Sequence, residues 1–432
     1  MTTKLARISE LSKEKPDMKF NSIGHLINFD MLTACHNKMD GSKAVGIDGI
    51  SKADYDNNLE ENLRGLVQRL KDKSYRPKPA RKVEIPKDNG KTRPLSIYSY
   101  EDKLVQEALK EVLEAVFEPH FYENMCGFRQ NRSCHGAIRK LNDMIEGQKT
   151  NYILDADISG FFDNLSHEWI IKFISSRITD PNIIRLVERM LKAGVLLEGE
   201  FYVDDFGSGQ GSVCSPIIAN IYMHYVLVWW FNVKIKPLMK GYCDIVVYAD
   251  DFVCCFQYKK EAELFYELLK RRMGHFSLTL EENKTRLIYF GRYAEENLAK
   301  MNKKPETFDF LGFTHYCSKS RNGNFRVKHR TAGKKFRKKC KQMNITIRDM
   351  RFEKKKKYIL GKVNQILMGY YHYYGITDNY QMMDNFRKRV IQILFFWMNR
   401  RSQRKSYTWD GFNEFLKRNP VVRPKIYVSI YG

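Results

Sequence analysis

Apolar residues recur along this chain with two different periods, and the changes between them mark out its elements. Residues 1–40 read as polar and helical. Over 51–73, Leu59, Leu63, Leu66, Val67 and Leu70 fall on one side of a helix. Tyr75–Pro79 breaks it. Lys82–Ile85 and Thr92–Ser96 are extended runs flanking Pro86-Lys87-Asp88-Asn89-Gly90, which predicts a hairpin with Asn89-Gly90 at its tip. Amphipathic helices are expected over 101–119 and 133–147, a strand over 151–157, and helices from 166 to 194. Ser215-Pro216 is a good opening pair for a long helix over 215–232. Ile245-Val246-Val247 and Phe252–Phe256 are unbroken apolar runs on either side of Tyr248-Ala249-Asp250-Asp251, a second hairpin with acids at its tip. Residues 260–275 return to the helical period and 278–290 to the extended one. Helices mixed with antiparallel strands predict an α+β fold.

Two adjacent acids in a tight turn are ordinarily a solvated surface feature. Here the flanks are too apolar for a surface turn, and no basic residue adjoins the pair. A buried hairpin ending in carboxylates is a place for a divalent cation. The strand Tyr152–Asp157 also ends in acids, and Asp157 stands where that strand gives way to a turn. Asp157 and Asp250 could together hold two Mg²⁺ ions, with Ile158 and Asp251 the other positions assigned to the metal. Small, hard Mg²⁺ prefers carboxylate and phosphate oxygens and needs neither His nor Cys, and Mn²⁺ is the natural substitute. A two-metal site suits in-line phosphoryl transfer: one ion activates a hydroxyl and the other steadies the leaving pyrophosphate.

Three motifs in series then carry a resemblance. Tyr248-Ala249-Asp250-Asp251, the Asp157–Phe162 stretch, and Gly209-Gln210-Gly211-Ser212-Val213-Cys214-Ser215-Pro216 have the order and spacing of a reverse transcriptase. Further pieces resemble the reverse transcriptase/maturase proteins encoded by bacterial group II introns. They are Gly46-Ile47-Asp48-Gly49, Tyr75-Arg76-Pro77, Ile85-Pro86-Lys87, Arg93-Pro94-Leu95, Gly127-Phe128-Arg129, Phe310-Leu311-Gly312-Phe313 and the Tyr370–Tyr374 cluster. The resemblance spans roughly residues 40–415. It implies a right-hand polymerase: an N-terminal extension and fingers over 1–150, a palm over 151–320, an α-helical thumb or maturase (X) domain over 321–400, and a short basic appendage over 401–432.

The resemblance also implies roles. Asp157, Asp250 and Asp251 would be the catalytic acids. Lys87 and Arg93, on opposite arms of the first hairpin, would grip the triphosphate of a dNTP, and Gln210 would pack on the incoming nucleotide. Phe161 would lie beneath its sugar and exclude a 2′-hydroxyl, with Phe162 as core partner. Lys284 could approach the leaving pyrophosphate or be an ordinary surface Lys. Phe310, Leu311 and Gly312 resemble the turn that holds the primer. Ser208-Gly209 stands where many relatives have Thr-Pro, and Gln130 where a Pro is usual. A zinc-dependent HNH endonuclease, present at the end of many relatives, is not expected here, because no Cys follows Cys340 and no His follows His372.

Composition points the same way. The formal net charge is +24, and residues 321–432 hold 28 Lys and Arg against 6 Asp and Glu. A charge run is ordinarily a solvated face. An excess of this size, interleaved with Tyr, Phe and Trp, favours nucleic acid over membrane headgroups, since no long amphipathic helix with a clean apolar face accompanies it. Lys334, Lys335, Arg337, Lys338 and Lys339 are the strongest candidates for contacts to a duplex backbone or structured RNA. The Tyr370–Tyr374 cluster is mostly core. No apolar stretch reaches the ~20 residues of a membrane span. The start of the chain lacks the apolar core of a signal peptide. Nine scattered Cys read as thiols in a reducing compartment, so a cytoplasmic protein is expected.

These features predict an RNA-directed DNA polymerase whose partners are an RNA template, structured intron RNA, a DNA primer and dNTPs, with the oligomer open between monomer and homodimer. A maturase role in splicing and retrohoming follows from the resemblance. Two alternatives stand beside it: a host-adopted reverse transcriptase used in phage defence or spacer acquisition, and an RNA-binding splicing factor whose polymerase is unused.

Overall fold

The computed structural model describes residues 3–431 except 87–91, 198–199, 203–205, 208, 210, 354 and 402–405. The polar N-terminal stretch forms two helices, α1 (Thr3–Glu14) and α2 (Phe29–Lys38), the latter capped by the Asn28 side chain on the Met31 N–H. The periodic run after it splits into α3 (Lys52–Asp56), opened by a Ser51/Asp54 capping box, and α4 (Leu59–Lys71), which buries Leu63 and Leu66. Strands β1 (Ala80–Pro86) and β2 (Thr92–Ile97) pair antiparallel from Arg81–Ile97 to Pro86–Thr92, the expected hairpin, whose tip lies outside the described residues. Then come α5 (Tyr100–Phe117), with twelve buried residues, and α6 (Cys134–Glu146), capped by Ser133.

The middle of the chain builds a four-stranded antiparallel sheet. Strand β3 (Tyr152–Ala156) leads to α7 (His167–Ser175) and α8 (Pro181–Leu191). Two short strands follow, β4 (Val195–Leu197), which joins β1 in parallel, and β5 (Glu200–Tyr202). Helix α9 (Ser215–Met223) continues through two π-helical turns to Ile235. Then come β6 (Cys243–Tyr248), β7 (Asp251–Phe256), α10 (Lys259–His275) and β8 (Arg286–Tyr289), and the sheet order is β6-β7-β3-β8. Its strands are apolar without alternation because both faces are covered. Leu154, Ile245, Phe252 and Cys254 face the main core, while Ile153, Val246, Val253 and Ile288 face a second core under α6.

After the short helix α11 (Ala294–Ala299), β9 (Phe308–Phe310), β10 (Phe313–Lys319) and β11 (Phe325–Thr331) form a separate antiparallel sheet. Three long helices follow, α12 (Gly333–Asp349), α13 (Lys356–Tyr374) and α14 (Tyr380–Met398), and a last one, α15 (Trp409–Arg418). They share one core with Tyr370, Tyr371 and Tyr374, as the sequence reading of that cluster expects. Phe412, Val421 and Ile430 complete the same core, so residues beyond 405 pack into the helical body rather than trailing from it. Among the described residues no helix is long and apolar enough to cross a membrane, and all nine Cys are free.

Candidate active site

The hairpin of β6 and β7 closes with Tyr248 opposite Asp251, leaving Ala249 and Asp250 as its two-residue tip. Ala249 has φ of +59°, a conformation that costs a non-glycine residue about 1 kcal/mol. The neighbouring chain holds it there. Cys126 donates its N–H to Val247 O at 2.8 Å, and Val247 returns one to Asn124 O at 2.9 Å. A Cβ on Gly127 would stand 2.2 Å from Ala249 N, so only glycine allows this backbone-to-backbone approach. Asn220 of α9 donates to Gly127 O at 3.0 Å. Arg129 is buried and donates to Glu118, to Tyr122 O and to Met125 O, which fixes the loop from below. The Gly-Phe-Arg motif is therefore a clamp on the acidic tip. In the sequence the motif carries no mechanism of its own, and a glycine next to a turn that needs support is the one signal of this role.

The strand register brings the second acid in. Ala156 pairs with Phe252, so Asp157, the next residue along β3, emerges beside Asp251. Asp155 lies two residues back on the same strand and is paired with Arg286 of β8 at 3.5 Å. Asp251 is solvent-exposed while protein surrounds its carboxyl, and its pKa is pushed up to about 6 by desolvation and then by Asp250, Asp157 and Asp155. The Asp250 carboxyl is raised for the same reasons, desolvation first and Asp157 after. Asp157 carries the Lys284 ammonium, and this pairing raises the Lys284 pKa.

The three predicted acids thus share one electrostatic neighbourhood. Among the described residues no three His, Cys, Asp or Glu side chains already converge as a closed metal cage. Magnesium does not require one: it takes one or two carboxylates and completes its shell with water and substrate phosphates. Hard oxygens that repel one another, with a lysine standing in as counter-charge, fit such an ion. Ile158 is buried and bridged to Leu280, so only its backbone could reach a metal.

The remaining predicted residues divide. Lys87 and Gln210 lie outside the described residues, and Arg93 is placed by its backbone alone, opposite Ile85. The loop around Gln210 packs on β2: a Cβ on Gly209 would meet Tyr98 Oη at 2.1 Å and one on Gly211 would meet Ser96 O at 2.5 Å. Phe161 is only 2% exposed and belongs to the main core, whereas Phe162 is half-buried, edge-on between Phe161 and Phe128. Of this pair only Phe162 offers a ring edge outside the core, because Phe161 is sealed within it. Leu311 and Gly312, at φ of +48° and +80°, form the turn between Phe310 and Phe313, and Tyr373 Oη donates to Leu311 O at 2.8 Å. Lys334, Lys335, Arg337, Lys338 and Lys339 are all exposed along the first turns of α12, and Lys335 is close enough to lower the pKa of Asp251. The start of that helix is thus within electrostatic range of the acids.

Residues 85–315 match the model of the reverse transcriptase (RNA-dependent DNA polymerase) family. The chain belongs to that family. Its architecture is accordingly that of a right-hand polymerase, and enzymes of the family depend on a metal. The chain is 35% identical over 234 residues to the group II intron-encoded protein LtrA of Lactococcus lactis, a match covering 54% of this chain and 39% of that protein. It is 35% identical over 241 residues to an uncharacterised 91 kDa protein in a cob intron of Schizosaccharomyces pombe, covering 55% and 30%. Protein YkfC of Escherichia coli is 31% identical over 322 residues, covering 66% and 80%. The chain thus spans well under half of the first two relatives and about four fifths of the third.

Proposed function

We propose that this protein is an RNA-directed DNA polymerase that extends a primer with dNTPs on an RNA template, and that it binds structured intron RNA as a maturase. The observation that carries the reading is the strand register that sets Asp157 beside Asp251, next to Asp250 at the hairpin tip, within electrostatic range of the Lys335 ammonium. Asp157 and Asp250 hold the metal, and Asp251 completes the acidic floor. Magnesium bound there supplies Lewis-acid activation of the primer 3′-hydroxyl and neutralises charge on the departing pyrophosphate. Lys284 releases Asp157 when substrate arrives and turns its ammonium to the phosphates. Lys87 and Arg93 grip the triphosphate, Arg93 by a bidentate contact, and Gln210 packs on the nucleotide. Phe162, rather than Phe161, lies under the sugar. The Phe310–Gly312 turn holds the primer end, and Lys334, Lys335, Lys338 and Lys339 follow the duplex, while Arg337, half a turn round α12 from Lys335, takes RNA on the other side. Catalysis is then mostly positioning and charge neutralisation.

Residues 1–150 are assigned to the N-terminal extension and fingers, 151–320 to the palm, and 321–431 to the thumb. Two of the three relatives named above are intron proteins by name, which supports the intron-borne role over a host-adopted one. The intact acids argue against a splicing factor with an unused polymerase. The test is incorporation of labelled dTTP on poly(rA)/oligo(dT), with EDTA and add-back of Mg²⁺ or Mn²⁺. Metal-dependent extension is the expected result. No extension with either metal would overturn the polymerase reading.

A further inference from the structure

The outer side of the thumb carries a second basic surface that the catalytic cleft does not use. Between α12 and α14 runs a groove of about 700 Å³, lined by Lys341 and Asn344 from one helix, Arg389, Phe396 and Trp397 from the other, and Arg400 just beyond its end. That volume is in the range of small-ligand sites. Among the described residues no acid lines it and none of its three cations has a carboxylate partner. Its aromatic groups are already arranged for stacking. The Arg400 guanidinium lies 3.4 Å from the Phe396 centroid, and Arg351 lies 5.5 Å from that of Trp397. Phe396 remains 42% exposed. Trp397 Nε1 donates to Asn344 Oδ1 at 2.8 Å, which ties the two walls together and leaves the Asn344 amide N–H groups to the groove.

Helical phase separates this groove from the cleft. Lys335, whose ammonium lowers the pKa of Asp251, lies on the stretch of α12 within electrostatic range of the acids. Asn344 follows nine residues later, about two and a half turns, and so projects from the opposite side of α12. A polymerase needs one face of its thumb for the duplex it copies. The other face, with fixed cations, an exposed ring and no counter-charge, fits unpaired RNA, whose splayed bases stack on aromatic rings and guanidinium planes while lysine and arginine take the phosphates.

We propose that the α12–α14 groove receives an unpaired, extruded base of a structured RNA. The proposal rests on the reading of this protein as a binder of structured RNA. The test uses the full chain and an RNA hairpin with one bulged 2-aminopurine, beside a fully paired hairpin and the DNA version of the bulged one. Wild-type protein should quench the 2-aminopurine and bind the bulged RNA about tenfold or more tighter than either control. Phe396→Ala and Arg389→Ala should each abolish most of that preference, Phe396→Tyr should keep it, and primer extension on poly(rA)/oligo(dT) should be unchanged in all three. Equal loss on paired and bulged RNA, equal affinity for the DNA hairpin, or undisturbed quenching in Phe396→Ala would overturn the groove while leaving the polymerase and general RNA binding standing. Failure of the wild type to bind any hairpin would overturn the groove and the structured-RNA reading together, and extension on poly(rA)/oligo(dT) would still report on the polymerase.

Discussion

The hairpin that carries Asp250 and Asp251 is fixed by backbone atoms on every side, whereas α12 across the cleft is a row of exposed cations on a helix. At the hairpin, Gly127 lies against Ala249 with no room for a methyl group, and flanking strands are buried on both faces. On α12, only Met343 and Ile347 are buried, and the five basic residues at its start stand in solvent. The first region places a few charges within fractions of an ångström, because chemistry at phosphorus tolerates little misplacement. The second supplies a field, which tolerates much. Substitutions should therefore act singly and steeply at the hairpin, and cumulatively and shallowly on the helix.

The largest effect tests the steep side. Asp250→Ala removes a carboxylate that no neighbour can replace, so primer extension should fall by more than about a thousandfold. Binding of structured RNA should survive it, since that surface lies elsewhere. Parallel loss of RNA binding, measured by filter retention on the same preparation, would break the distinction between the two regions.

Next comes Gly127→Ala, a residue that touches no substrate. Its Cβ would stand 2.2 Å from Ala249 N, so either the hairpin tip or the 124–128 loop must move. A shift of about 1 Å at the reacting groups costs on the order of a hundredfold in rate. Overpacking of this kind costs about 1–3 kcal/mol of stability. A fall in kcat with a modest drop in melting temperature is expected. Unchanged kcat would mean that the clamp does not position the acids.

Lys284→Gln is smaller and has two signs. The ammonium now competes with metal for Asp157, so its removal should lower the Mg²⁺ concentration needed for half-maximal activity. It should also lower kcat by about tenfold, as expected when a charge near a developing pyrophosphate is lost. A rise in the metal requirement would show that the pairing with Asp157 does not persist in the working enzyme.

These contrasts follow what the sequence could and could not disclose. The hairpin, its acids and the strand ending at Asp157 were legible because local pattern specifies them: apolar runs, a two-residue tip, and a strand that stops at a carboxylate. The first hairpin and α5, α6 and α10 were legible for the same reason. What pattern could not supply was which residue of an adjacent pair faces inward. Phe161 and Phe162 are chemically identical, and only packing against the main core decides that the first is sealed and the second half-open. Nor could it reveal that Phe412, Val421 and Ile430 return to the thumb core, because those contacts cross long stretches of chain. The role of Gly127 was hidden similarly. Its partner is 122 residues away, and a missing Cβ leaves no signal of what it avoids.

The smallest effect per residue belongs to α12, and it is the one that can sharpen the comparison most finely. Lys334, Lys338 and Lys339 should each contribute a phosphate contact without base specificity, so each Ala substitution should weaken RNA binding equally for all sequences. Every lost contact should lower the slope of log affinity against log salt by about one. Single changes should cost only a few-fold, and the triple substitution should depart from the product of the singles, because Lys334 and Lys338 stand one turn apart and Lys338 and Lys339 are adjacent, all within the Debye length of about 8 Å. Lys335 is the exception that tests the argument. Its ammonium lowers the pKa of Asp251, so Lys335→Ala should also reduce primer extension, by a few-fold, where Lys334→Ala does not. If all five behaved alike in both assays, the helix would act as an undifferentiated cationic surface and its facing toward the acids would have no catalytic consequence.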